Sequence, residues 1–318
     1  MEISGQINNR AGRDQGTSNQ LKICCILNAK SGGTASDQGY DFADLFSQRG
    51  FGVEIMNTLQ GSSIVDIAKS AVQQDYDIIV AGGGDGTISA VAAALVGHPA
   101  IRLGILPLGT LNHFARDLNI PSDISKAVDI ICAGYSEAID IGCVNDTYFV
   151  NNTSVGLYPA IVKLRESLQG GGYSKWWAAV LSSIRIFGRF RRLELEVQLL
   201  DKTLIKRKTA LLFVGNNAYE TAAGRLGIRL SINRGMLWIN ISTSSTRLGL
   251  IMSLTALVLG RERPAETLIF DASSLKVSSR KRLLTVANDG EVLRLKPPLN
   301  YRILPKALNV IVSARGEP

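Results

Sequence analysis

Ala81-Gly-Gly-Gly-Asp-Gly-Thr-Ile88 is the stretch from which the rest of the chain can be read. It follows the apolar run Asp77–Ala81, which reads as a buried strand. It precedes Ile88–Val96, whose apolar spacing is that of a helix. A glycine loop between a buried strand and a helix is the setting of a phosphate cradle. There the backbone turns tightly, its N–H groups approach phosphate oxygens, and the helix dipole favours the anion. Asp85 repels phosphate, so a phosphate reading gives it another role, orienting Mg²⁺ or polarising a nucleophile. The alternative is a tight turn in which Asp85 caps the following helix. Neither a GK[ST] phosphate loop nor a GxGxxG dinucleotide loop is present.

Outward from this loop, strand and helix signals alternate. Leu21–Leu27, Gly52–Met56 and Arg102–Leu106 read as strands, and Asp41–Gln48, Ile64–Val72 and Phe114–Leu118 as helices. That alternation predicts a parallel sheet with helices on both faces, a three-layer α/β domain. Ligands of such sheets bind at the carboxyl ends of the strands, so the loops after Leu27, Met56, Ala81 and Leu106 should meet. Two of them repeat the chemistry of the first. Asn28-Ala-Lys-Ser-Gly-Gly33 and Pro107-Leu-Gly-Thr-Leu-Asn112 bring further glycines, hydroxyls and amides. They add Asn28, Gly109, Thr110 and Asn112 to Gly83, Gly84, Gly86 and Thr87 as candidates for a nucleotide site.

Beyond about Asp146 the rhythm changes. Leu193–Leu199 alternates strictly, and Ala210–Val214, Met236–Ile241, Leu275–Val277, Leu283–Val286, Val292–Leu295 and Leu308–Val312 also read as strands. Helical patterns lie near Tyr173–Phe187 and Leu248–Leu259. The second half is thus expected to be mainly antiparallel β. Charge divides the same way. Residues 1–150 hold 9 Lys and Arg against 16 Asp and Glu, and residues 151–318 hold 26 against 11, which together give the net +8 of the 318-residue chain. A basic module expects a polyanionic partner. No apolar run reaches the ~18 residues that cross a bilayer. The polar residues 1–20 read as a disordered tail with no secretory leader. Four cysteines without CxxC spacing suit reduced, buried thiols of a cytoplasmic protein.

The glycine loop, Pro107–Leu118 (PLGTLNHFARDL) and Asp289-Gly-Glu291 occur in the order, and with the residue types, of the diacylglycerol kinase catalytic family. The chain resembles that family from about residue 21 onward, most densely over 21–145. The family includes bacterial lipid kinases and sphingosine kinases and is distantly related to NAD kinase. The resemblance implies a nucleotide-binding α/β domain (21–145), a larger, sandwich-like β-rich lipid domain (146–287) and a C-terminal segment (288–318) that returns to the first domain. It implies an ATP-dependent kinase acting with Mg²⁺ on a hydroxyl of diacylglycerol or a related lipid, in phospholipid metabolism. Asn28, Ser31, Gly32 and Thr58 would face the nucleotide, and Gly84 to Thr87 with Thr110 the phosphates. Asp289 would be the general base, with Glu291 beside it. Asp85 and Asp140 would belong to a carboxylate network near the metal. Read without the resemblance, Asn288–Glu291 is a type I′ hairpin turn, because Asp-Gly between strands is the commonest such signal.

Three departures stand out. Ser89-Ala90 follows GGDGTI where the family usually has Asn-Glu, and Leu111 and His113 replace Gly and Asp of its GTGND. His113 is left three roles: phosphate contact, a pair with Asp140, or a helix cap. Arg234 stands where some relatives place an acidic ligand of a structural metal, so that metal is not expected. The segment Lys175–Arg192, with Trp176, Trp177, Arg189, Arg191 and Arg192, reads either as a core helix with a basic turn or as an interfacial helix meeting anionic lipid. The interfacial reading makes the protein peripherally membrane-associated. No nucleic-acid motif is present, and a homodimer is left open. The rivals are a kinase of a soluble substrate such as NAD and a non-catalytic nucleotide- or lipid-binding member of the family.

Overall fold

A computed structural model of the chain describes residues 21–28, 40–58, 63–156, 192–220, 229–242 and 267–314. The expected tail, most of the Lys175–Arg192 segment and the Leu248–Leu259 pattern lie outside the described residues.

The first half alternates as its apolar spacing requires. Strands β1 (Ile23–Leu27), β2 (Val53–Asn57), β3 (Ile78–Gly83) and β4 (Arg102–Pro107) run parallel in the order β2-β1-β3-β4. Between them lie helices α1 (Phe42–Ser47), α2 (Ile64–Val72) and α3 (Asp85–Leu95), followed by α4 (His113–Asp117) and α5 (Ile124–Ala133). Local signals fix several ends. Ser63 Oγ accepts the Val65 N–H at the start of α2, Asp123 accepts the Lys126 N–H at the start of α5, and Gly134 closes α5 in the left-handed region. β1 and β3 are buried along their whole length, as central strands of a parallel sheet are. Leu27 pairs with both Asn57 and Gly82, Gly82 with Leu106, and Gly83 with Pro107. The four strands therefore end flush, and the loops that follow them leave from one edge.

The β-rich half is a sandwich. One of its sheets is β12 (Thr267–Ala272), β11 (Leu237–Ser242), β10 (Leu211–Asn216), β7 (Asn152–Gly156), β14 (Leu284–Asn288) and β15 (Glu291–Leu295), in that order. The other continues the parallel sheet: beside β4 comes β16 (Leu299–Ile311), then β13 (Ser274–Ser279), β8 (Leu193–Leu199) and β9 (Leu204–Thr209). β5 (Ser136–Val144) and β6 (Thr147–Phe149) attach to β16 as a hairpin. Leu195, Val197, Val277, Leu299 and Tyr301 of one sheet face Val155, Leu212, Val214, Ile239 and Val286 of the other in a single apolar core. β16 belongs to both halves. Its start pairs antiparallel with β13 (Asn300 with Lys276), and its end pairs parallel with β4 (Asn309 with Arg102, Val310 with Leu103).

The sequence reading differs from this fold mostly at edges and breaks. β16 is 13 residues long, whereas only its last third carries an uninterrupted apolar pattern. Pro305 and Lys306 hide the remainder, and the pairing with β5 shifts register between Leu304 and Leu308. β9 and β12 lie at the outer edges of the two sheets. The polar residues Lys206, Arg207 and Lys208 of β9 leave no alternating apolar signal. α3 begins at Asp85, three residues before the first apolar residue of its pattern.

The β5–β6 hairpin has little tolerance. Phe149 is fully buried opposite Gly142, where an added Cβ would run into the ring. Phe149→Ala is expected to cost about 3–5 kcal/mol. Urea unfolding checks this, with a lower midpoint and an unchanged slope as the expected outcome.

Candidate functional site

The described residues that follow β1, β2, β3 and β4 lie at the carboxyl edge of the parallel sheet. Asn28 follows β1, and its backbone N–H donates to Gly82 O (3.1 Å) while its side-chain amide donates to Thr87 Oγ1 (2.9 Å). Leu108, after β4, donates its N–H to Gly83 O (3.1 Å). Thr58, after β2, donates its N–H to Leu27 O (3.1 Å). Ser31 and Gly32 lie outside the described residues. Gly84 is the N-cap of α3 and offers no side-chain hydrogen bond. The first backbone N–H groups of this 11-residue helix therefore receive no cap from Gly84.

Gly109 shows how closely the loops are packed: an added Cβ would sit 2.5 Å from Gly84 Cα. Asn112 shapes this loop from inside. It takes the left-handed conformation (φ 46°), accepts the Gly109 N–H (3.0 Å) and donates to Pro107 O (3.0 Å) and Gly109 O (2.8 Å). Its polar atoms are thus spent on the loop. Thr110 is exposed, and so is His113 at the start of α4. Asp85 caps a helix, but α4 rather than its own: Oδ1 accepts the Phe114 N–H at 3.3 Å. One carboxylate thereby joins the glycine loop to the loop after β4.

Asp289 comes from the far end of the chain. Asn288 pairs with Glu291 across a two-residue loop whose members, Asp289 and Gly290, both have positive φ (46° and 88°). This is the type I′ hairpin that the sequence suggests. The turn also aims a carboxylate. Asp289 Oδ2 accepts the Val150 N–H (2.7 Å) and the Ser89 hydroxyl (2.5 Å), and Oδ1 accepts the N–H groups of Asn151 (2.8 Å) and Asn152 (3.0 Å). Burial pushes this carboxyl above its ordinary value of 3.8, against the pull of those four donors. Glu291 reaches the glycine loop, its Oε1 lying 3.9 Å from the position of a Cβ on Gly86. The turn and the phosphate-type loop, about 200 residues apart, are neighbours.

A buried arginine that nothing in the sequence singles out supports the same region. Arg229 Nη1 donates to Val150 O (2.8 Å), and Nη2 donates to Asn151 Oδ1 (2.5 Å) and pairs with Asp117 Oδ2 (2.8 Å). Its guanidinium lies 5.8 Å from the ring centroids of both Phe114 and Tyr219, and Tyr219 donates its hydroxyl to Asn151 O (2.9 Å). Burial pushes the Asp117 carboxyl up, and Arg229 opposes that shift. Removing either partner would strand a buried charge, at a cost of about 3–5 kcal/mol. In sequence, Asp117 and Arg229 look like ordinary surface charges.

Asp140 is also buried, with both oxygens occupied: Oδ2 accepts the Gly235 N–H (2.6 Å) and Oδ1 the Lys306 N–H (2.9 Å). Its carboxylate ties the turn before β11 to the irregular part of β16. Arg234, in the same turn, donates its N–H to Asn217 Oδ1 (2.8 Å). Among the described residues no three His, Cys, Asp or Glu side chains gather as a ready metal site. The cysteines stand apart from this chemistry, and burial holds the Cys24 thiol at about 12. Trp176, Trp177, Arg189 and Arg191 fall outside the described residues, and Arg192 is exposed just before β8.

Residues 22–144 match the family model of the diacylglycerol kinase catalytic domain. A diacylglycerol kinase of Staphylococcus carnosus is 39% identical over 108 residues, which are 34% of this chain and 35% of that protein. One of Staphylococcus haemolyticus is 46% identical over 90 residues, 28% of this chain and 27% of that protein. These matches span about a third of the relatives' length. The fold likeness runs further. The crystal structure of a diacylglycerol kinase from Bacillus anthracis superimposes with a TM-score of 0.68 at 18% identity, over 93% of this chain and 98% of that one. A second structure from the same organism gives 0.71 at 22%, over 92% and 97%. The α/β half and the β-rich half are therefore arranged as in those proteins.

Because the glycine loops touch backbone to backbone, Gly109→Ala should push them apart. The expected outcome is a loss of about 1–3 kcal/mol of stability, read by urea unfolding.

Proposed function

We propose that the chain is an ATP-dependent lipid kinase that phosphorylates a hydroxyl of diacylglycerol or a related lipid. One observation carries this reading: the Asp289 turn lies against α3 immediately beyond the glycine loop, so a desolvated carboxylate stands beside a phosphate-type cradle. The family match over residues 22–144 supports the kinase class and the lipid substrate.

The nucleotide would lie along the sheet edge, with Asn28, Ser31, Gly32 and Thr58 toward the nucleoside and Gly83, Gly84, Gly86, Thr87, Gly109 and Thr110 toward the phosphates. The cradle fits an anion, because it is built on the N-terminus of α3 with no side-chain cap at Gly84, and Gly83 and Gly109 have no room for a Cβ. Mg²⁺ commonly binds through substrate phosphates and one or two carboxylates, which makes Asp85 its protein ligand here. The cation would neutralise charge on the phosphates. Asp140 serves the fold beside this site through its two backbone partners.

An alcohol is a weak nucleophile. A carboxylate that takes its proton during attack accelerates the reaction by about 10²–10⁴. Asp289 suits that role, since burial raises its basicity above that of an exposed aspartate while its hydrogen-bond donors favour the charged form. Glu291, two residues on, extends the same turn toward Gly86. A lipid substrate brings the protein to a membrane surface, and the excess of Lys and Arg in the second half suits anionic headgroups. Among the described residues no helix is long and apolar enough to cross a membrane. The protein would act from the cytoplasmic side as a peripheral enzyme.

The test is phosphate transfer from labelled ATP with Mg²⁺ to diacylglycerol in mixed micelles, with NAD as the soluble alternative. Asp289→Asn should lower kcat at least a hundredfold. Transfer unaffected by that substitution, or transfer to NAD alone, would overturn the reading. The pH dependence has a definite sign. The ionised form is the active one and its pKa is raised, so kcat/KM should fall on acidification through a limb above 3.8. The same shift makes protonated Asp289 the form that stabilises the fold. Its contribution is full below 3.8 and is lost as pH rises through the folded value.

A further inference from the structure

A carboxylate has about four in-plane positions at which to accept hydrogen bonds. Asp289 uses four: two on Oδ1, from the Asn151 and Asn152 amides, and two on Oδ2, from the Val150 amide and Ser89 Oγ. The three amides belong to consecutive residues and are held from behind. Val150 O accepts from both Arg229 Nη1 (2.8 Å) and Asn216 Nδ2 (2.9 Å), and Asn151 O accepts from the Tyr219 hydroxyl (2.9 Å). A backbone N–H donates and cannot take up a proton. A substrate hydroxyl approaching Asp289 therefore meets a base whose acceptor sites are filled.

Ser89 is the one donor of the four that can also accept. A hydroxyl carries one O–H and two lone pairs, so while it donates to Asp289 it can accept from a second group. Ser89 lies four residues after Asp85 on α3, on the same side of the helix, which puts it between the glycine loop and the buried carboxylate. It is only half-buried. The family that the chain resembles usually has Asn at this place, and a side-chain amide has no hydroxyl to exchange in this way.

We propose that Ser89 is a catalytic residue that relays the proton of the substrate hydroxyl to Asp289. The step rests on the kinase reading above. The substrate O–H bond breaks as a new O–H bond forms at Ser89 Oγ. The original Ser89 O–H proton moves to Asp289 Oδ2. The substrate oxygen forms its bond to the γ-phosphorus, and the bond from that phosphorus to the β,γ-bridging oxygen breaks, its electron pair leaving with ADP. Ser89 stays neutral throughout, and Asp289 becomes neutral. The return of the proton through Ser89 to solvent after product release resets the pair.

Ser89→Ala, Ser89→Thr, Asp289→Asn and the Ser89→Ala/Asp289→Asn double variant test the relay, with kcat measured on diacylglycerol micelles and ATP affinity measured separately. Ser89→Ala should lower kcat about a hundredfold and leave ATP affinity within twofold. Ser89→Thr, which keeps a hydroxyl, should recover at least tenfold of that loss. The double variant should be no slower than Asp289→Asn, because both changes cut one proton path. A purely structural role for Ser89 would instead give additive losses and a weaker ATP affinity. Ser89→Ala within threefold of the parent, with Asp289→Asn inactive, would overturn the relay and leave the kinase reading standing. If Asp289→Asn itself stayed active, both would fall together.

Discussion

The site depends on burying one carboxylate. Taking Asp289 out of water penalises its charged form, and only a dense set of donors can hold it there. Three consecutive amides of Val150–Asn152 and the Ser89 hydroxyl supply that set. Donors and acceptor come from three different elements. The amides are presented where β6 hands over to β7, Ser89 is fixed by the helix that follows the glycine loop, and Asp289 is turned inward by a hairpin with positive φ. If any of the three elements moved, a buried charge would lose partners, at about 1–3 kcal/mol or more.

This explains why the two halves of the molecule are joined as they are. β16 runs from the sandwich into the parallel sheet, and the other sheet, which carries the β14–β15 turn, packs on the β16 sheet through a shared apolar core. Asp140 secures that framework at its weakest point, the irregularity in β16, by accepting the Lys306 amide. Arg229 secures it a second time, linking Asp117 of α4 to the carbonyl side of the amides that hold Asp289. Buried polar networks of this kind add little net stability, but they admit few alternative arrangements. The proposed base and phosphate loop would gain from that restriction.

Much of this is legible in the sequence. Glycine loops after buried strands announce a sheet-edge site, because three such loops in parallel strands must leave from one side. Asp289-Gly290 announces a turn and, through the family resemblance, a base. The two readings are compatible in the geometry, since the turn is what points the carboxylate inward. Other residues are opaque. Asp117 and Arg229 find each other only when α4 and the segment before β11 are packed together. Asn112 reads as a ligand-facing amide, but the left-handed backbone at that position turns its side chain back onto its own loop. Ser89 looks like a loss relative to the usual family residue until its hydroxyl is seen on Asp289.

The most direct measurement is a crystal structure of the protein with Mg²⁺ and a non-hydrolysable ATP analogue. The account predicts a triphosphate lying across Gly83–Thr87 and Leu108–Thr110, with its terminal phosphorus facing the open side of Ser89 and Asp289 still held by Val150–Asn152. A nucleotide bound away from that edge, or an Asp289 carboxylate turned outward from the amides, would contradict it.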